Sequence, residues 1–379
     1  MNIFSLSPKS GINPAGFIIR VTAVFWLLAK IISFKLWVSE RIFPVVPPFT
    51  ILSSIPGWIH TFLFVTVIIC LFILIDNPLN QKIVIICLIT ELLSCLLDQN
   101  RWQPWEYQYL FTFLIFIINR KKFGSVITVF LFILSATYFY SGISKFNPHF
   151  LDRIWGGLIL HGFLKIDQDI IHRQGIRYLG YLIPCIEITG GLLLLFYRTR
   201  KLGAYVLIAM HLFNLLFFSP FGLNYNKVVW PWNMAMILYL FLLIEQSKYS
   251  ISFSSLFKKE NWLILLCWGF LPALNYAGYW DFYLSSSLYS GRTKTLLVCV
   301  KNPGNYPSQL DPYSGIISTS LCNGKILDIT DWAYQELRVP VYPEERIFYS
   351  IKEILKKRFP YLQLSFFIKG PAANEIRPY

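Results

Sequence analysis

Apolar residues run in long blocks through the first three quarters of this chain and alternate with polar ones only towards its end. A helix that crosses a bilayer takes roughly 20 mostly apolar residues. On that measure the blocks predict about nine transmembrane helices, at 17–38, 59–75, 83–97, 105–118, 125–144, 179–196, 202–218, 228–244 and 262–276. Charge interrupts the first block and Pro272 the last, and several blocks are short for a full crossing, which calls for local thinning or flanking anchors. Between the fifth and sixth blocks, residues 147–177 mix apolar and polar positions at near-helical spacing, as in an interfacial or re-entrant helix on the outer face. From Ser290 onward the pattern changes. "TKTLLVCVK" reads as a strand, "NPGNYPSQLDP" as a loop, the stretch opening at Pro343 as a helix with acids first and bases last, and "YLQLSFFIKG" as a closing strand. The expected fold is therefore an all-α polytopic membrane bundle over residues 1–289, followed by a small extracytoplasmic α+β domain over residues 290–379.

Composition strengthens this picture. Hydrophobic residues make up 55% and charged residues 14% of the 379, and mean hydropathy is +0.52. A soluble domain carries about 25% charged residues, so water is not the main solvent here. The net charge of +14 does not point to nucleic acid, because the basic residues gather in short connections rather than along one soluble face. Lys9, Lys82, Arg120 to Lys122, Arg198 to Lys201 and Lys248 to Lys259 fall on alternate connections. The positive-inside rule makes that side cytoplasmic. The N-terminus is then inside, the tail outside, and the lipid bilayer, a bacterial inner membrane, the main partner. The first apolar block, broken by Arg20, Lys30 and Lys35, lacks a small-residue cleavage site and is expected to be retained.

Seven cysteines show no C-x-x-C metal spacing, and no metal is expected. Five lie in apolar blocks and read as small hydrophobes. Cys299 and Cys322 lie in the tail, where an oxidising compartment permits but does not require their pairing.

Ionisable groups inside a bilayer are functional hypotheses by default. Lys145 ends the fifth block in "ATYFYSGISKFNPHF", where the bland reading is a lysine snorkelling to headgroups. Glu187 lies within the sixth, beside Gly190 and Gly191, which permit close helix packing. His211 and Asn214 share a helix face at a spacing of three. Glu106, with Tyr107, opens the fourth block, and Asn233 follows Trp230 at the start of the eighth. Glu91 is a further buried acid with no evident partner. Lys145, Glu106 and Asn233 fall at outer ends and Glu187 and His211 nearer the middle, so one outward-opening cavity would unite them.

These strings resemble the HTTM superfamily, which includes the vitamin K-dependent γ-glutamyl carboxylase. "SGISKFNPHF" resembles the turn that carries the carboxylase's catalytic lysine, so the resemblance implies a base at Lys145. "CIEITGGLLLLF" resembles a helix with an acid at the position of Glu187, "MHLFNLLFF" its H-x-x-N segment at His211 and Asn214, and "RWQPWEYQYLF" its W-N-N-H-S-Y-L-Y segment. Trp105 stands where that segment has histidine, and the large lumenal portion is missing. The resemblance implies reduced menaquinone or vitamin K hydroquinone as cofactor, oxygen chemistry in a water-poor cavity, and an extracytoplasmic protein or peptide substrate. Beside this reading stand a non-enzymatic membrane scaffold or assembly partner and a transporter.

Overall fold

The computed structural model describes residues 13–173, 175–246, 253–301, 306–318, 322–372 and 375–379. Lys9 and Lys248, two of the basic residues used above to assign sides, lie outside the described residues. Helix α1 (Pro14–Ile32) starts where its sequence prescribes: the Asn13 side chain accepts from the Ala15 and Gly16 amides, and Pro14 takes the first turn. After the short α2 (Phe34–Trp37) come α3 (Gly57–Asp76), α4 (Gln81–Leu97), α5 (Pro104–Ile118) and α6 (Phe123–Ser144). A π-helix (Phe150–Phe163) and α7 (Gln168–Arg173) occupy the mixed segment, where an amphipathic helix was expected. Then follow α8 (Leu182–Leu195), α9 (Arg200–Phe217), α10 (Val229–Glu245) and α11 (Phe253–Leu256). The last apolar block is not one helix: α12 (Trp262–Ile264) passes through a π-turn (Leu265–Phe270) into α13 (Leu271–Leu274), with Pro272 at the junction.

The protein is a multi-pass membrane protein, but nine crossings are not what the helices support. Among the described residues five have both the length and the apolarity to span a bilayer: Pro14–Ile32, Gly57–Asp76, Gly124–Ser144, Ile176–Leu195 and Arg200–Phe217, with Val229–Glu245 shorter. The physical reason is clearest at α5. Fifteen residues rise only about 22 Å, less than the roughly 30 Å hydrocarbon core. Twelve of those residues, among them Glu106, Gln108 and Thr112, are buried in protein, so α5 is a core helix rather than a lipid-facing one. Around it, α6 packs on α8, α8 on α9, α9 on α10, α10 on α1, α1 on α3 and α3 on α4.

The basic connections meet at one end of the bundle: Arg120 donates to Gln81 at 3.1 Å, and Asn119 to Asn261 at 2.9 Å. The tail sits at the other end. Its strands β1 (Thr295–Val300), β2 (Gly315–Ser318), β3 (Asn323–Asp328), β4 (Leu364–Lys369) and β5 (Ile376–Pro378) form an antiparallel sheet in the order β2-β3-β1-β4-β5, joined by α14 (Ile329–Leu337) and α15 (Glu345–Arg358). The sequence pattern indicated β1, α15 and β4 but not β2, β3, α14 or β5. Of the expected loop, residues 302–305 lie outside the described residues, and Ser308–Tyr313 is a 3-10 turn. A disulfide joins Cys299 on β1 to Cys322, just before β3. Buried polar contacts fasten the tail to the bundle: the Glu336 carboxylate accepts from the Ile42 and Phe43 amides at 2.7 and 2.9 Å, and Asn100 accepts from the Tyr342 amide at 3.1 Å.

Candidate functional site

Close packing by glycine creates the site. A Cβ on Gly142 would stand 2.6 Å from the Ile188 side chain and 2.8 Å from the Pro184 carbonyl, and one on Gly191 would stand 2.8 Å from the Tyr138 Cβ. These two gaps let α6 and α8 approach backbone to backbone. Lys145, which follows the last residue of α6, thereby meets Glu187 on α8 with Nζ 2.7 Å from the carboxylate. The same nitrogen donates to Ser141 Oγ at 2.6 Å and to the Ser141 carbonyl at 3.1 Å. An ammonium has three N–H bonds and no acceptor capacity, and three acceptors surround this one. Lys145 is thus set as a charged donor and not as a snorkelling side chain.

On the facing wall, His211 from α9 lies between two partners. Tyr138 Oη is 2.7 Å from its Nε2, and Asn233 Oδ1 from α10 is 2.7 Å from its Nδ1. Asn233 donates its own amide to the Val229 carbonyl at 2.8 Å, and Asn214 reaches Asn233 Oδ1 at 3.4 Å. Lys145, Glu187, His211, Asn214 and Asn233, drawn from four parts of the sequence, all line one cavity of about 470 Å³. Its remaining wall is mostly apolar: Ile154 and Leu158 of the π-helix, Met210, Phe217 and Met236 among others, with Leu288 and Tyr289 from the segment leading to the tail. Ile186 of α8 and Phe213 of α9 line it and are themselves exposed, so the cavity is not sealed on the side of these two helices.

Three of the residues singled out from sequence lie elsewhere. Tyr107 stacks on Trp268 with ring centroids 5.0 Å apart, and its hydroxyl donates to the Cys267 carbonyl at 3.4 Å. Trp230 is half-buried and off the cavity wall, whereas Trp232 lines it and donates to Gln108 at 2.7 Å. Glu106 belongs to a second polar cluster. There Lys30 Nζ is 2.8 Å from Glu91 and 3.7 Å from Glu106, 3.1 Å from the Trp37 ring centroid, and fully buried. Trp26 donates to Glu106 at 2.7 Å. Lys30 is the partner that Glu91 lacked in the sequence reading. Glu91, Cys95 and Glu106 bring donor atoms within 4.8 Å of one another, a set suited to a cation, and the Lys30 ammonium supplies positive charge among them.

That cluster continues into the connection between α4 and α5. Arg41 pairs with Asp98, and Arg101 donates to the Leu36, Trp37 and Ser94 carbonyls and contacts His60 Nδ1 at 2.9 Å. Burial draws the Arg101 guanidinium down to about 10, with the Asp98 carboxylate opposing the fall, so it stays charged at neutral pH. Tyr138, Ser141 and Trp232 were missed in the sequence because a tyrosine, a serine or a tryptophan in an apolar block is ordinary. The glycine pair on α8 and the small residues Ser141, Gly142 and Ser144 on α6 hinted that these two helices lie close.

Residues 122–220, about a quarter of the chain, match the family of the methylamine utilisation protein MauE. No curated protein and no solved structure matches the chain. The matched family corrects the HTTM resemblance: MauE is a different membrane family, and short apolar strings with one lysine, one acid and an H-x-x-N are too unspecific to identify a family. The stretch similar to MauE carries Tyr138, Ser141, Lys145, Glu187, His211 and Asn214, most of the polar side of the cavity.

Proposed function

We propose that this membrane protein binds a lipid-soluble ligand with an oxygen-bearing polar head, a quinol in type, and acts on it by acid–base chemistry. The observation that carries the reading is the cavity's division into a long apolar wall and one polar end built from Lys145, Glu187, His211 and Asn233. Few precisely placed polar groups in an apolar hollow are what orient a ligand. Exposed apolar side chains at its edge, Ile186 and Phe213, are compatible with entry of an apolar ligand from the bilayer. A one-carbon amine, the compound in the matched family's name, would leave most of the apolar wall unfilled. Lys145, whose nitrogen faces three acceptors, serves in this reading as a fixed positive charge beside the ligand's oxygen. The disulfide in the tail supports an extracytoplasmic placement of that end, which labelling of reduced Cys299 and Cys322 by a membrane-impermeant reagent would check.

The test is extraction of lipids from the purified protein, followed by binding of reduced menaquinone-4. A stoichiometric isoprenoid quinone in the native protein, absent from an Ala209→Trp variant whose cavity wall is filled, is the expected result. A native protein that neither retains nor binds the quinol overturns the reading.

A further inference from the structure

We propose that Tyr138 is the residue through which the ligand's hydroxyl proton leaves, and that His211 receives it. The inference rests on the ligand reading above and assigns direction to the site.

The direction follows from the hydrogen bonds. Asn233 gives its amide hydrogens to the Val229 carbonyl, which fixes Oδ1 towards His211. The reversed amide would set its oxygen against the Val229 carbonyl and would lose the contact from Asn214, which also reaches Oδ1. Against an acceptor oxygen, His211 Nδ1 must carry hydrogen. In the neutral ring Nε2 is then a bare lone pair, so Tyr138 donates its only hydrogen to it at 2.7 Å. The Tyr138 oxygen has acceptor capacity left, and Tyr138 is one of the residues that line the cavity.

A ligand hydroxyl that reaches Tyr138 completes a relay. The ligand O–H bond breaks and its proton joins the Tyr138 oxygen, while Tyr138's own proton passes to His211 Nε2. No electron leaves the site. The products are a ligand oxyanion and an imidazolium, and the sum of charges with Lys145 and Glu187 is unchanged. Net charge therefore stays constant inside hydrocarbon, where an uncompensated charge is expensive. Lys145 stabilises the oxyanion by its field, and Asn233 holds the imidazolium by accepting from Nδ1. Tyr138 is catalytic in this scheme, and Asn233 is a positioning residue. The chemical class implied is an acidic hydroxyl, phenolic or enolic, on an apolar body.

The experiment uses the full-length protein in detergent, reduced menaquinone-4 under anaerobic conditions, and two readouts: quinol binding, and quinolate absorbance alongside the imidazolium resonance of nitrogen-15-labelled histidine. In the unaltered protein, quinolate and one imidazolium, absent from His211→Gln, should rise together near neutral pH. Tyr138→Phe keeps the Cβ that packs on Gly191 and should bind quinol several-fold more weakly, for the one hydrogen bond lost, while forming at least about tenfold less quinolate per bound quinol, a shift of one pKa unit or more. His211→Gln should show the same loss and serves if Tyr138→Phe does not fold. Equal quinolate in either variant, or quinolate without the imidazolium, overturns the relay. Absence of quinol binding in the unaltered protein instead overturns the ligand reading.

Discussion

Lys145 and Lys30 are both buried lysines held by a glutamate from a neighbouring helix, at 2.7 and 2.8 Å. What surrounds them differs. Around Lys30 protein groups close in: Trp26 and Trp37 cover it, two carboxylates share it, and the network runs on through Arg101, Asp98 and Arg41 into the contacts that seat the tail. Around Lys145 the packing stops, and a cavity begins. Two clusters of the same chemistry thus have opposite uses. A filled cluster fixes helices and has no room for a ligand; a hollow one keeps polar groups aimed at a space. Counting costly buried charges, which is all the sequence permits, does not separate them.

Substitution should separate them first by stability. Lys30→Met leaves two carboxylates buried without their ammonium, and loss of one partner from a buried pair costs about 3–5 kcal/mol. Thermal unfolding in detergent should show this, with much of the loss restored by adding Glu91→Gln. Lys145→Met should lose less, about 1–3 kcal/mol, because water from the cavity can solvate the remaining Glu187. Equal losses at both lysines would erase the distinction between filled and hollow. The next effect comes from the gap that makes the hollow. Gly191→Leu drives a side chain into Tyr138 and should cost about 1–3 kcal/mol by overpacking while abolishing quinol binding. Filling the hollow acts in the other direction: Ala209→Trp should leave the fold about as stable as before, or raise stability by about 0.5–2 kcal/mol, while excluding the ligand.

Sequence and structure agree where local pattern decides and part where it does not. The apolar blocks located the helices well, since periodicity and length suffice for that, and they placed Lys145, Glu187, His211, Asn214 and Asn233 near helix ends or centres. Whether a block faces lipid or protein is a tertiary matter, which is why the sequence does not show that α5 is a core helix, with twelve of its fifteen residues buried in protein. Pairings over long separations were also invisible: Lys30 and Glu91 are 61 positions apart, and nothing near either announces the other. In the tail, β1, α15 and β4 carry strong patterns. The strands β2 (GIIS) and β3 (NGKILD) hold only two adjacent apolar residues each, with no alternating run to mark them, and their place follows from pairing, β3 on β1 and β2 on β3.

The finest test of the contrast lies in two neighbouring tryptophans on α10. Sequence reasoning favoured Trp230, whereas the geometry favours Trp232. Positions two apart on a helix point in directions about 200° different, so only one of the pair can line a given hollow. Trp230 leaves its indole N–H without a hydrogen-bond partner among the described residues. Trp230→Phe therefore removes no such bond and should change stability by no more than about 0.5 kcal/mol, with quinol binding unaltered. Trp232 donates to Gln108, whose own amide faces Met236 at 3.2 Å, another residue of the cavity wall. Trp232→Phe should thus lose about 1 kcal/mol from the hydrogen bond and weaken quinol binding several-fold as Gln108 turns. Binding measured for both variants under one set of conditions decides the matter: a larger loss at Trp230 would place the ligand outside the cavity, on the opposite side of α10.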